Sequence, residues 1–192
     1  MEVRLMNVSW TRKLVLVAGL FYGFAMGSLG ETMKDKPSGK WTDWMVVNDS
    51  VMGGISQSRP EITDRDTLVF LGNVSFENNG GFASIRHVAE PFGLEEGEGI
   101  LLRAKGDGKK YQLRVRTSDG FDGLAYKTDF KTVKGEWQEF RFPWNVFTGT
   151  YRGRLIENTP ALEAINIRQI GFLISDNQAG SFELEIVTLE AY

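Results

Sequence analysis

Between Trp41 and Tyr192 the apolar residues recur at every second position rather than at every third or fourth. Tyr111, Leu113 and Val115 alternate with Gln112, Arg114 and Arg116; Phe140 and Phe142 alternate with Glu139 and Arg141; Phe182, Leu184 and Ile186 alternate with Glu183 and Glu185. A period of two sends successive side chains to opposite faces of a strand, so each run predicts a strand with one face in a core and the other in water. Apolar runs at 68–71, 74–76, 83–88, 100–104 and 170–174 predict further strands, separated at short intervals by turns carrying Gly, Asn or Asp. Pro143 ends the run that begins at Trp137, because it has no N–H to give to a ladder. Only residues 159–165, opening on Thr159-Pro160, predict a helical turn, and that a brief one. Eight or more short strands without a long helix predict an all-β fold, a β-sandwich of the jelly-roll type.

The turns are as informative as the strands. Gly72-Asn73-Val74-Ser75-Phe76-Glu77-Asn78-Asn79-Gly80-Gly81-Phe82-Ala83-Ser84-Ile85-Arg86 reads as two strand segments around a turn, in which Asn78 and Asn79 tolerate positive φ and Gly80-Gly81 allow close backbone approach. The string predicts a β-hairpin. An echo precedes it at Asn48-Asp49-Ser50-Val51-Met52-Gly53-Gly54-Ile55-Ser56, where Asn-Asp can cap a turn and Gly-Gly lets one segment pass close to another. A third string, Lys105-Gly106-Asp107-Gly108-Lys109-Lys110, lacks phosphate-loop spacing and a following helix, and predicts a tight hairpin between Leu102 and Leu113.

Composition narrows the class. With 42% hydrophobic and 24% charged residues the chain is ordinary for a globular protein, and 12% aromatic with 22 glycines suits strands joined by tight turns. Its 192 residues accommodate one domain with an appended segment. The net charge is −3, and because the first 30 residues carry Arg4, Arg12 and Lys13 against Glu2, the remainder is more acidic still. No nucleic-acid partner is expected of such a body. The absence of cysteine excludes disulfides, thiolate metal sites and cysteine nucleophiles, and a single histidine, His87, excludes multi-histidine metal centres. No metal and no cofactor is expected.

Ahead of the body, Arg12-Lys13 precede an uncharged apolar stretch over 14–27, in which Ala25 and Gly27 are the small residues at −3 and −1 of a cleavage site after Gly27. A basic flank followed by an apolar run of this length predicts an export signal over residues 1–30, and hence a periplasmic or extracellular body; kept uncleaved, residues 14–29 would instead contact or anchor to a membrane. Residues 31–40 read as a charged linker, and 41–192 as the folded domain.

Candidate chemistry is sparse. A Ser-His-Asp arrangement would rest on His87, which stands among strand residues without a nucleophile elbow, and no spacing singles out a carboxylate pair. A non-enzymatic protein is expected. Two candidate sets remain. Arg86, Arg103, Arg114 and Arg116 on polar strand faces, with Asp107 at the rim, could bond a carboxylate or the hydroxyls of a glycan. Asn48, Asp49, Met52, Gly53 and Gly54 with Asn78, Asn79, Gly80 and Gly81 form loops on which Met52, if exposed, is an adaptable contact for a protein partner.

The three strings, in their order N-D-x-V-M-G-G-x-S, N-N-G-G-F-x-S-x-R and G-D-G-x-x-Y, resemble those of the complex I intermediate-associated protein 30 family. So do Gly135-Glu136-Trp137, Pro143 with Phe147, Arg152-Gly153-Arg154, and the closing segments Ile170-Gly171-Phe172 and Gly180-Ser181-Phe182-Glu183-Leu184. The resemblance implies a galactose-binding-like jelly roll related to carbohydrate-binding modules. It further implies a non-catalytic assembly factor or chaperone that holds a protein partner, an assembly intermediate of respiratory complex I. An exported carbohydrate-binding protein is the alternative.

Overall fold

The computed structural model describes residues 41–192, so the expected export signal and linker lie outside the described residues. In chain order the strands are β1 (Met45–Val46), β2 (Gln57–Ile62), β3 (Leu68–Val74), β4 (Ala83–Val88), β5 (Gly99–Gly106), β6 (Lys110–Arg116), β7 (Ala125–Lys131), β8 (Trp137–Pro143), β9 (Thr148–Tyr151), β10 (Arg154–Leu155), β11 (Gln169–Ile174) and β12 (Gly180–Ala191). They form a seven-stranded sheet in the order β1-β4-β11-β6-β7-β9-β10 and a five-stranded sheet in the order β2-β3-β12-β5-β8, with antiparallel neighbours throughout. The fold is the β-sandwich jelly roll that the two-residue period predicts.

The inward positions are the alternating apolar ones. Leu68, Phe70, Ile100, Leu102, Leu184 and Ile186 from one sheet meet Ile85, Leu113, Val115, Ile170, Phe172 and Ile174 from the other, all essentially inaccessible to water. Aromatic pairs fix the depth of the core: Phe70 and Phe182 have ring centroids 4.8 Å apart, and Phe130 and Phe140 are 5.0 Å apart. Trp41 and Trp44 pack on Phe92, and Trp44 stacks on Phe172 at 5.9 Å. His87 belongs to this group, its ring against Trp44 and Phe92 and its Nδ1 2.6 Å from the Val88 carbonyl oxygen. Tyr111 is fully buried, and its hydroxyl donates to Asp107 Oδ1 at 2.9 Å and to the Glu183 carbonyl at 3.1 Å. The helical turn expected near residue 160 is a single 3₁₀ turn over Ala164–Asn166.

Two expected hairpins take another form. Asn78 and Asn79 do have positive φ, 55° and 60°, but β3 lies in the five-stranded sheet and β4 in the seven-stranded one, so the turn carries the chain across the sandwich. The glycine-rich turn after β5 likewise leads into β6 of the opposite sheet. Turn residues specify that the backbone reverses. They do not specify the strand that receives it, which is settled by the apolar faces that must be covered. The sequence also left β1, β2, β7, β9 and β10 unmarked; β2 is an edge strand with polar residues on most positions and an exposed Ile62.

Phe70 sits where both sheets and Phe182 converge, so Phe70→Ala should destabilise the domain by about 3–5 kcal/mol, read as a drop in unfolding midpoint at unchanged denaturant slope.

Candidate functional site

Two loops carry the chain between sheets at one end of the sandwich, residues 47–56 from β1 to β2 and residues 75–82 from β3 to β4. They run side by side because β1's pairing with β4 continues past Val46: the Val47 N–H donates to the Ser84 carbonyl at 2.9 Å, the Asp49 N–H to the Phe82 carbonyl at 3.3 Å, and the Ser84 hydroxyl to the Val47 carbonyl. Asn48 fastens the margin, its Oδ1 accepting from the Ser84 N–H at 3.1 Å and from the Ser58 hydroxyl at 2.7 Å.

Asp49 is the centre of the arrangement and has no solvent exposure. Its Oδ1 accepts the Ser56 N–H at 2.9 Å; its Oδ2 accepts the Ser56 hydroxyl and the N–H groups of Gly81 at 2.7 Å and Phe82 at 3.2 Å. Ser56 extends the tie, its hydroxyl oxygen accepting the Ser75 N–H at 3.0 Å. Burial alone would raise the Asp49 pKa, but the Ser56 hydroxyl and the converging N–H groups outweigh it and hold the carboxyl below its ordinary value.

The glycines of both strings make room for this carboxylate. A Cβ on Gly54 would stand 2.4 Å from Asp49 Cγ, and one on Gly80 would stand 2.7 Å from Asp49 Oδ2. Gly53 closes the 3₁₀ turn over Asp49–Met52 at φ 93°, in the left-handed region. Asn48, Asp49, Gly54, Gly80 and Gly81 are thus brought together as one knot. Outside it the loops present Val51, Met52 (63% exposed), Ile55 and Phe76 to solvent. Met52 is exposed as the partner-binding expectation requires; Val51, Ile55 and Phe76 were not singled out in the sequence, since an apolar residue in a turn string carries no periodicity.

The arginines divide. Arg103 is on β5 of the five-stranded sheet, its guanidinium 5.8 Å from the Trp137 ring centroid. Asp107 is engaged in its own turn, with Oδ1 accepting from the Lys109 N–H and the Tyr111 hydroxyl and Oδ2 accepting from the Glu183 N–H. Arg86, Arg114 and Arg116 are neighbours on the outer face of the seven-stranded sheet. Gly171 of β11 is paired with Arg86 on one side and Arg114 on the other, so no side chain separates the two, while Gln169 is paired with Arg116.

Each of the three donates to a neutral oxygen: Arg86 to the Phe121 carbonyl at 2.9 Å, Arg114 to the Thr150 hydroxyl at 2.8 Å, Arg116 to the Gly123 carbonyl at 2.8 Å. Among the described residues none of the three forms an ion pair. Burial first, and repulsion by neighbouring guanidinium groups second, bring Arg86 and Arg114 down to about 10; burial also lowers Arg116. All remain cationic at neutral pH. Between them lies a notch of about 20 Å³.

The fold is that of carbohydrate-binding modules. The family 11 module of a cellulosomal cellulase from Clostridium thermocellum superposes with a TM-score of 0.59 at 13% identity, over 82% of this chain and 94% of that one, and the same family's module in complex with a mixed-linked tetrasaccharide gives 0.57 at 12%, over 79% and 92%. The chain itself belongs to the complex I intermediate-associated protein 30 family, whose model matches residues 33–186. An uncharacterized protein of Schizosaccharomyces pombe is 31% identical over 78% of this chain and 77% of its own length. The mouse mitochondrial complex I intermediate-associated protein 30 is 26% identical over 74% of this chain and 50% of its own, and the Neurospora crassa protein of that name is 30% identical over 48% and 34%. The chain thus spans about half or less of the length of these two mitochondrial relatives.

Those names correct the expectation of export, because the complex I relatives are mitochondrial proteins. A basic flank before an apolar stretch records how hydrophobic a segment is. It does not record which compartment receives the protein.

Replacing Asp49 by Asn leaves one acceptor oxygen where the carboxylate satisfies four donors, and should cost about 3 kcal/mol at pH 7. The depressed folded-state pKa means that the wild-type advantage is complete above the unfolded carboxyl pKa and disappears as pH falls through the folded value. Thermal melts of wild type and Asp49→Asn should therefore differ at pH 7 and converge in acid.

Proposed function

We propose that this protein is a non-catalytic binding protein that associates with an assembly intermediate of respiratory complex I and grips a protein subunit with the apolar tip of the 47–56 loop. The observation that carries this reading is Met52. A flexible thioether side chain stands exposed beside Val51 on a turn whose backbone is anchored by a buried carboxylate, so the contact surface is adaptable while its support is rigid. Family membership supplies the kind of partner, since relatives bear the name complex I intermediate-associated protein. Burial of Val51 and Met52 against a partner would contribute about 1.5–3 kcal/mol each. Met52→Asp would set an unpaired charge into that contact.

The test is co-migration of the tagged protein with complex I subunits, at the size of a partial assembly, on native gels of solubilised respiratory membranes. Met52→Asp should weaken that association by about tenfold or more with little change in melting temperature, because residue 52 is mostly exposed in the domain. Recovery of the protein free of any complex I subunit, or co-migration indifferent to Met52→Asp, would refute the reading.

A further inference from the structure

The notch between Arg86, Arg114 and Arg116 holds two buried polar atoms without partners. Arg114 Nε, a donor, and Gln169 Oε1, an acceptor, are both shielded from solvent and unbonded. Gln169 is only 7% exposed, and its orientation is fixed because Nε2 donates to the Ser118 and Gly120 carbonyls at 2.9 and 3.2 Å. Buried polar atoms are normally satisfied by protein or water, so an orphaned donor and an orphaned acceptor on residues lining one notch need a partner that the chain does not supply. Both atoms belong to residues on adjoining strands, β6 and β11.

Charge gives the sign. The nearest carboxylates are committed elsewhere: Asp122 pairs with Arg152 at 2.6 Å, and Asp129 with Lys127 at 2.8 Å and Lys110 at 3.0 Å. Among the described residues the three guanidinium groups of the notch thus make no ion pair, and Asp122 and Asp129 act on them only at longer range. The carbonyls of the loop over 118–123 are already taken by Arg86, Arg116 and Gln169, so the remaining guanidinium N–H groups are left for water or a ligand.

Size gives the class. About 20 Å³ has room for one ligand oxygen, far below the roughly 300 Å³ at which pockets begin to enclose small molecules, so a sugar ring does not enter and a larger group can only seat at the mouth with one oxygen inside. We infer that the mouth of the notch is a binding site for a single phosphoryl group, free or of a phosphomonoester, its oxygens received by Arg86, Arg114 and Arg116 and the P–OH of its singly protonated form donated to Gln169 Oε1. A phosphoryl group brings up to two negative charges and three acceptor oxygens, whereas a carboxylate would neutralise one of three cations. The remainder of the ligand stays at the surface. This site lies on a sheet face and is independent of the Met52 loop.

Calorimetric titration of the full chain with inorganic phosphate and with glycerol 3-phosphate, beside sedimentation with phosphatidylcholine vesicles containing phosphatidic acid, distinguishes a free ligand from a lipid headgroup. Saturable binding of one phosphoryl group per chain in either arm is expected. Arg114→Gln and Arg86→Gln should each weaken it by about tenfold or more, while Arg103→Gln on the other sheet and Met52→Asp leave it intact. Should Arg114→Gln fail to fold, the half-buried Arg86 carries the comparison. Absence of binding in both arms, binding unaffected by Arg86→Gln, or binding of a neutral mixed-linked glucan oligosaccharide in place of phosphate would overturn the inference.

Discussion

A single buried carboxylate joins the two sheets of this domain at one end. Asp49 accepts hydrogen bonds from Ser56 on its own loop and from Gly81 and Phe82 on the other, and each of those loops leaves one sheet and enters the opposite one. An ion with no access to water is costly unless every lone pair is met, and here four donors meet it. The cost of burial becomes a constraint on shape. The loops can satisfy Asp49 only in one relative position, and that position requires that nothing project from Gly54 or Gly80.

That constraint separates what the loops hold from what they offer. Asn48, Asp49 and Ser56 turn inward to the knot, and the apolar members Val51, Met52, Ile55 and Phe76 are left largely exposed outside it. The surface that could meet a partner is therefore built from residues the fold does not need, on a support that the fold makes rigid. The outer face of the seven-stranded sheet follows another logic. β11 is buried along its whole length, because the arginines of β4 and β6 and the loop over 118–123 close over Gln169 and Gly171. Cationic side chains are partly desolvated there and, among the described residues, form no ion pair.

The two family 11 carbohydrate-binding modules share this fold at 12% and 13% identity, which is a likeness of architecture alone. In this chain the glycine strings, which read as turns, serve as clearance around a carboxylate.

Much of the sandwich was legible before any coordinates. Alternation at Tyr111-Leu113-Val115 and Phe182-Leu184-Ile186 decided which side chains enter the core, because a strand has only two faces and water excludes one set from solvent. The asparagines at 78 and 79 declared their positive φ, since few other residues tolerate it. The pairing of strands was not legible: the turns after β3 and β5 read as hairpins and proved to be crossings, because a reversal costs the same whichever sheet receives it. Nor could the sequence show that Asp49 meets Gly81, that Arg103 stands apart from Arg86, Arg114 and Arg116, or that Gln169 completes their notch. Local periodicity is a property of neighbours in the chain and determined the fold class. The two sites unite residues 32 and more positions apart, and only the closure of two sheets over one core brings them within reach.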